Sequence, residues 1–154
     1  MTRRARIIGV GNPMAGDDGV GIEVVRAIAR IGAGDEIDLC EFADPSRLIE
    51  LLVDGADPII IVDALLDSHS PARVMRISQS SSKDARILST HGLGILEAIE
   101  LARATYPDRI ARQIEIVAVA VSGANRTGAA LSPEVAAAVP QAAQEALRLV
   151  RWIS

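Results

Sequence analysis

Two stretches of the sequence are apolar at almost every position: residues 59–62 and residues 114–121. A strand with one face in water alternates apolar and polar residues, whereas a strand covered on both faces is apolar throughout. Strands of the second kind are typical of a parallel sheet with helices on both sides. The two stretches therefore predict an α/β fold with a mostly parallel sheet.

The remaining segments alternate between strand and helix patterns, as such a fold requires. Further strands are predicted at residues 6–11, 36–42 and 72–77, the last at an edge of the sheet, and helices at about 19–31, 45–53, 92–106 and 133–152. Residues 79–86 are polar and are expected to form a loop. The chain has 154 residues and no evident linker, so we expect one domain over residues 1–154, a single-domain three-layer sandwich.

The predicted helices carry recognisable end signals. Asp44 is expected to cap a helix with Pro45 in its first turn, and Ser132 is expected to cap one that starts at Pro133. The first helix is expected to end at Gly32 and to bury one stripe of side chains: Val20, Val24, Ile28 and Ile31.

Composition excludes several classes of protein. Hydrophobic residues make up 49% of the chain and aromatic residues 2%, so the core is expected to consist of Ile, Val, Leu and Ala. The net charge of −4 argues against a nucleic-acid partner, which requires a basic face. No apolar run approaches the roughly 20 residues of a membrane-spanning helix. The apolar run at residues 7–10 is also too short for a signal peptide.

Cys40 is the only cysteine, so no internal disulfide can form. It lies in an apolar run and is expected to act as a small hydrophobic residue rather than a nucleophile. The absence of a disulfide fits a reducing compartment. We therefore expect a soluble, unprocessed protein in the cytoplasm, with no membrane partner, and we expect a monomer.

Several residues that carry chemistry fall where the strands end. Asp17 and Asp18 lie in the turn after the first strand, Asp63 ends the third strand, and His91 starts a helix. Sites in open α/β sheets form beyond the carboxyl ends of the strands. Structural roles remain open: one of the two adjacent acids is expected to cap the first helix, Asp63 could bond to a neighbouring loop, and His91 could be exposed to water.

The turn at residues 9–16, GVGNPMAG, resembles a phosphate-binding loop, and Glu41 is roughly placed for a ribose-binding acid. However, Asp17 and Asp18 occupy the place where a pyrophosphate would approach the helix, and they would repel it and attract a cation. Two carboxylates and one imidazole suit a divalent ion such as nickel, zinc, manganese or iron. A nucleotide-binding α/β enzyme remains an alternative.

The sequence resembles the hydrogenase maturation protease family through four motifs that occur in the family's order and span nearly the whole chain. The match comprises residues 9–21 (GVGNPMAGDDGVG), similar to the opening Gly-x-Gly-Asn-x-x-x-x-Asp-(Asp/Glu)-Gly-x-Gly; residues 60–64 (IIVDA), like its apolar strand ending Asp-Ala; residues 89–94 (STHGLG), like its Ser/Thr-x-His-Gln-x-Gly; and residues 131–135 (LSPEV), like its Leu-(Ser/Thr)-Pro-x-Val.

The resemblance implies a twisted sheet of about five strands flanked by helices. It implies an endopeptidase that removes a C-terminal peptide from the large-subunit precursor of a nickel-iron hydrogenase after nickel insertion. Nickel is then the cofactor, supplied largely by the precursor and used as the recognition signal. The metal ligands and catalytic residues carried over from the family are Asp18, Asp63 and His91.

Two segments depart from the family pattern. The chain has Phe-Ala-Asp-Pro-Ser at residues 42–46 where the family has a Gly-Gly-Thr or Gly-Thr-x-Gly segment, and Gly92 where the family has Gln. The first departure supports an alternative function, a non-proteolytic metal-binding or chaperone-like module that docks on a hydrogenase precursor.

Overall fold

The computed structural model describes residues 3–42, 44, 47–67, 69–77, 90–123, 128 and 130–153, with the backbone alone at 90–93 and 153. Five strands form one sheet in the order β2-β1-β3-β5-β4. Neighbouring strands are parallel except for β4, which is antiparallel to β5 at the edge. The strands are β1 (Ala5–Val10), β2 (Ile37–Phe42), β3 (Ile59–Leu66), β4 (Val74–Ile77) and β5 (Ile114–Val121).

Helices cover both faces of this sheet. A short 3₁₀ helix (Gly16–Gly19) leads into α1 (Val20–Ile31), which packs with α4 (Pro133–Ile153) on one face. The other face carries α2 (Leu48–Val53) and α3 (Thr90–Thr105). The predicted fold, a single-domain α/β sandwich with a mostly parallel five-stranded sheet, is confirmed. Within the described part of the chain, no helix combines the length and apolar character needed to cross a bilayer.

The third strand shows why its sequence is apolar at consecutive positions. Ile60 and Val62 pack into the core beneath α1 and α4, whereas Ile59 and Ile61 pack into the core beneath α2 and α3. Successive side chains of a strand point to opposite faces, so a strand between two helical layers needs apolar residues on both.

Two local expectations are wrong. Ile31 is 68% exposed, because α1 ends there and Gly32 turns the chain away at φ +93°. Helix α2 begins at Leu48 with Arg47 in the N-cap position, and the expected cap of Asp44 on a helix start at Pro45 involves residues outside the described part of the chain. Strand β3 does not end at Asp63 but continues to Leu66, because its last residues still pair with β5. Pro45 and the predicted loop at residues 79–86 lie outside the described residues.

Backbone packing explains the glycines of the first turn. A Cβ on Gly21 would lie 2.3 Å from the carbonyl oxygen of Val62 and 2.6 Å from that of Val10. A Cβ on Gly9 would lie 2.4 Å from the carbonyl oxygen of Gly21. Helix α1 thus rests on β1 and β3 at a separation that only hydrogen side chains permit. The glycine pattern is accounted for by this contact without a phosphate ligand.

Arg6, on β1, is a buried arginine with partners on two other elements. Its Nε donates to Asp38 Oδ2 on β2 at 2.8 Å, and its Nη1 donates to Asp54 Oδ1, just after α2, at 2.7 Å. Nη1 also donates to the carbonyl oxygen of Leu51 at 2.7 Å. Because a buried charge is costly without such partners, the network both satisfies Arg6 and ties β1 to β2 and α2.

We expect the stabilisation from this network to weaken in acid. Burial raises the pKa of Asp54, but the hydrogen bond and charge of Arg6 outweigh burial, so the pKa of Asp54 lies below its ordinary value. Such a group stabilises the fold above its unfolded pKa of about 3.9, and this contribution is lost as the pH falls through the lower folded pKa. The variant Arg6→Gln should lose about 1–3 kcal/mol of unfolding free energy at pH 7, and less at pH 3.

Urea unfolding of the wild-type protein and Arg6→Gln at both pH values measures this difference. The pKa of Glu145 is also lowered, by its hydrogen bond to Arg148, but both proteins contain that pair and its effect cancels in the comparison. A stability difference that is the same at pH 3 and pH 7 would contradict the expectation.

Candidate active site

The strand order creates a switch point between β1 and β3. The chain leaves β1 through α1 to reach β2 on one side, and later returns through α2 to place β3 on the other side. Pairing between β1 and β3 stops at Gly9 and Val62, after which β3 continues along β5 alone. In open α/β sheets, ligands bind at such a point, outside the carboxyl ends of the strands.

Asp63 is the first residue of β3 beyond this pairing. It is fully buried, and its Oδ1 accepts a hydrogen bond from the backbone N–H of Ala64 at 2.8 Å. Strand alternation puts it on the same face as Ile61 and Leu65, the face covered by α2 and α3. A carboxylate removed from water is energetically costly unless it is paired, which is a reason to consider a function for it.

Asp18 lies in the 3₁₀ helix that follows β1, and this helix contacts β3. The Asp18 Oδ2 accepts a hydrogen bond from the backbone N–H of Asn12 at 3.1 Å. Its backbone is held close to Gly11, where a Cβ would lie 2.1 Å from the Asp18 carbonyl oxygen and where φ is +149°. The fold therefore brings Asp18 and Asp63, which are far apart in sequence, to the same edge of the sheet.

Asp17 has a different environment from its neighbour. It is 3% exposed, and its carboxylate accepts hydrogen bonds from the backbone N–H of Ser132 at 2.7 Å and from Ser132 Oγ at 2.9 Å. The expectation that one of the two acids caps α1 is wrong, because Gly19 holds the N-cap position and no side chain bonds there. Sequence analysis identified Ser132 as a helix-start signal but missed its partner Asp17.

His91 is the second residue of α3. Gln113 directly precedes β5, and its carbonyl oxygen accepts a bond from the N–H of Ile59, the first residue of β3. The connection from α3 to β5 therefore reaches the sheet at the amino ends of the strands. The start of α3 therefore lies toward the opposite, carboxyl edge, and position 91 is one turn before the buried Ile95. The His91 side chain is outside the described part of the structure.

The three-residue metal site therefore stays a prediction. Among the described side chains, no group of three His, Cys, Asp or Glu is arranged to hold a metal ion. That search did not include the His91 side chain, which the predicted set requires. The structure does place the backbone of all three positions toward the carboxyl edge of the sheet.

Glu41, the ribose ligand proposed in the nucleotide alternative, forms a surface ion pair. Glu41 is paired with Arg26, whose Nε donates to Oε1 at 2.6 Å and whose Nη2 donates to Oε2 at 3.4 Å.

Cys40 is half-buried against the core beneath α2, and burial, followed by the charge of Asp38, raises the pKa of its thiol. A raised thiol pKa reduces the thiolate fraction, which does not favour a nucleophile.

A doubly wound sheet with two carboxylates at its switch point is an arrangement found in small α/β enzymes, and comparison with known proteins identifies the class. The family model HycI, described as hydrogenase maturation protease, matches residues 22–149. The chain therefore belongs to the hydrogenase maturation protease family, whose members are peptidases. A search of curated protein sequences gave no significant match.

Solved structures share this fold. The NiFe hydrogenase maturation protease HybD from Thermococcus kodakarensis is similar with a TM-score of 0.77 at 25% identity, covering 95% of this chain and 98% of that one. The hydrogenase maturating endopeptidase HybD from E. coli gives a TM-score of 0.75 at 19% identity, covering 96% and 92%. An endopeptidase from Escherichia coli gives 0.81 at 20% identity, with the same coverage of 96% and 92%.

Proposed function

We propose that this protein is an endopeptidase that removes the C-terminal peptide of a nickel-iron hydrogenase large-subunit precursor after nickel insertion. Membership of the family supports a peptidase acting in hydrogenase maturation. The observation that carries the proposal further is the position of the buried Asp63, just past the point where β1 and β3 stop pairing and at the same edge of the sheet as Asp18. We expect the protein to act as a monomer in the cytoplasm, without a nucleic-acid or membrane partner.

In this proposal nickel is part of the substrate and is the signal that the protease reads. Asp18, Asp63 and His91 supply two carboxylates and one imidazole, a donor set that suits a borderline divalent ion. By completing the coordination of nickel in the precursor, they position the scissile bond at the edge of the sheet. Hydrolysis then uses a water polarised by the metal, or a carboxylate that accepts a proton from the attacking water.

The direct test is to incubate the purified protein with nickel-loaded and nickel-free forms of the precursor and to follow the precursor by intact mass. We expect the nickel-loaded form to lose one C-terminal peptide and the nickel-free form to stay intact. Binding to the precursor without a mass loss would contradict the proposal and favour the non-proteolytic module. Equal cleavage of both forms would contradict the role of nickel as the signal.

A further inference from the structure

Three hydrogen bonds join the turn after β1 to the start of α4 and to the segment that precedes it. Two of them run from the N–H and the Oγ of Ser132 to the carboxylate of Asp17, which lies 115 residues earlier in the chain. The third runs from the N–H of Gly16 to the carbonyl oxygen of Gly128 at 2.6 Å, within an isolated β-bridge between Ala15 and Gly128. We refer to the Asp17–Ser132 pair as the latch.

The latch is well suited to hold a short element in place. Both bonds are charge-assisted and short, and Asp17 is buried, so little water competes for them. The carboxylate also lies at the N-terminus of α4, where the helix dipole favours a negative charge. Helix α4 has 21 residues and packs along the sheet, which makes it a fixed support for a 3₁₀ helix of four residues.

We propose that Asp17 and Ser132 are positioning residues that fix Asp18 for the reaction. This inference rests on the proposed function, in which Asp18 meets the nickel of the precursor. Asp17 and Asp18 are consecutive in a single 3₁₀ turn, so a rotation of that turn moves both side chains. The latch holds Asp17 against α4 and thereby fixes the direction in which the Asp18 side chain points away from the turn.

A purely structural role for the latch would give different results from a positioning role. If the latch only stabilises the fold, its loss lowers the unfolding free energy, and the folded protein keeps its rate. If it positions Asp18, the folded protein itself becomes slow, because small displacements of a group in a reacting site cost large factors in rate. The two roles separate when the rate is measured at saturating precursor and at a temperature far below the midpoint of thermal unfolding.

The experiment compares kcat for nickel-loaded precursor among four variants and the wild-type protein. We expect Asp17→Ala to lower kcat roughly 10- to 100-fold, and Ser132→Ala, which keeps the backbone bond, to lower it severalfold. Ser132→Thr keeps the hydroxyl and should stay within about twofold of the wild-type protein. Arg6→Gln lowers stability through a residue near the amino ends of the strands, away from Asp18, and should keep its kcat.

Hydrogen exchange of the amides in residues 12–18 gives a second readout. Exchange there should be faster in Asp17→Ala and Ser132→Ala and unchanged in Arg6→Gln. If Asp17→Ala does not fold, Ser132→Ala decides the test. A wild-type kcat in the latch variants would overturn the latch proposal alone, whereas a wild-type protein that leaves nickel-loaded precursor intact would overturn the proposed function and the latch with it.

Discussion

Asp63→Asn should reduce removal of the C-terminal peptide about a thousandfold or more while the protein stays folded. Asparagine has the shape of aspartate, and its side-chain oxygen can still accept the bond from the N–H of Ala64. It lacks the negative charge that a metal ligand or a base requires. Since a buried neutral amide costs less than a buried carboxylate, we expect the variant to stay folded.

The measurement is the single-turnover rate of precursor cleavage, followed by intact mass, together with urea unfolding. Asp35→Asn is the matched control, because Asp35 is exposed in the connection between α1 and β2, at the opposite edge of the sheet. The control should cleave at the wild-type rate. Normal cleavage by Asp63→Asn with a loss of stability would show that Asp63 has a structural role and would refute its place in the site.

Gly21→Ala should lower the unfolding free energy by about 3 kcal/mol or more, or prevent folding. Alanine favours a helix over glycine by about 1 kcal/mol, which alone would stabilise α1. The added methyl group, however, would overlap the backbone oxygens of Val62 and Val10, neither of which can rotate away. Relief requires α1 to lift from β1 and β3, with loss of packing beneath it.

Gly34→Ala separates packing from backbone conformation in this test. Gly34 has φ +86° and no atom within 4 Å of an added Cβ, so its substitution should cost only the strain of a left-handed residue, about 1–2 kcal/mol. Urea unfolding of both variants measures the two effects. A Gly21→Ala variant as stable as the wild-type protein would refute the packing account and return the glycine motif to the nucleotide interpretation.

Much of the architecture was predictable because it depends on local pattern. The apolar run at residues 59–62 identified a strand covered on both faces, and Val20, Val24 and Ile28 of the first helix are buried as expected. Expectations failed where tertiary contacts decide. Ile31 continues the helical stripe of α1, but the chain turns at Gly32 before this side chain can reach the core.

The candidate site divides in the same way. The placement of Asp18 and Asp63 toward the carboxyl edge of the sheet followed from the strand pattern and the rule that sites form at carboxyl ends. The partner of Asp17 did not follow, because a bond between residues 115 positions apart leaves no trace in local spacing. The extent of β3 was also missed, since Asp63 resembles a strand end in sequence and lies inside a strand through pairing with β5.

The extension of β3 past Asp63 separates the positioning of this carboxylate from the recognition of a partner protein, two tasks that many enzymes combine in one loop. The carboxylate belongs to a strand that is paired with β5 both before and after Asp63, from Ile59 to Leu66. The sheet therefore fixes its position. The connecting segments around it can then change in length and composition without moving it. In the proposed function, the sequence departure at residues 42–46 bears on which precursor is bound, while Asp63 keeps its place in the sheet.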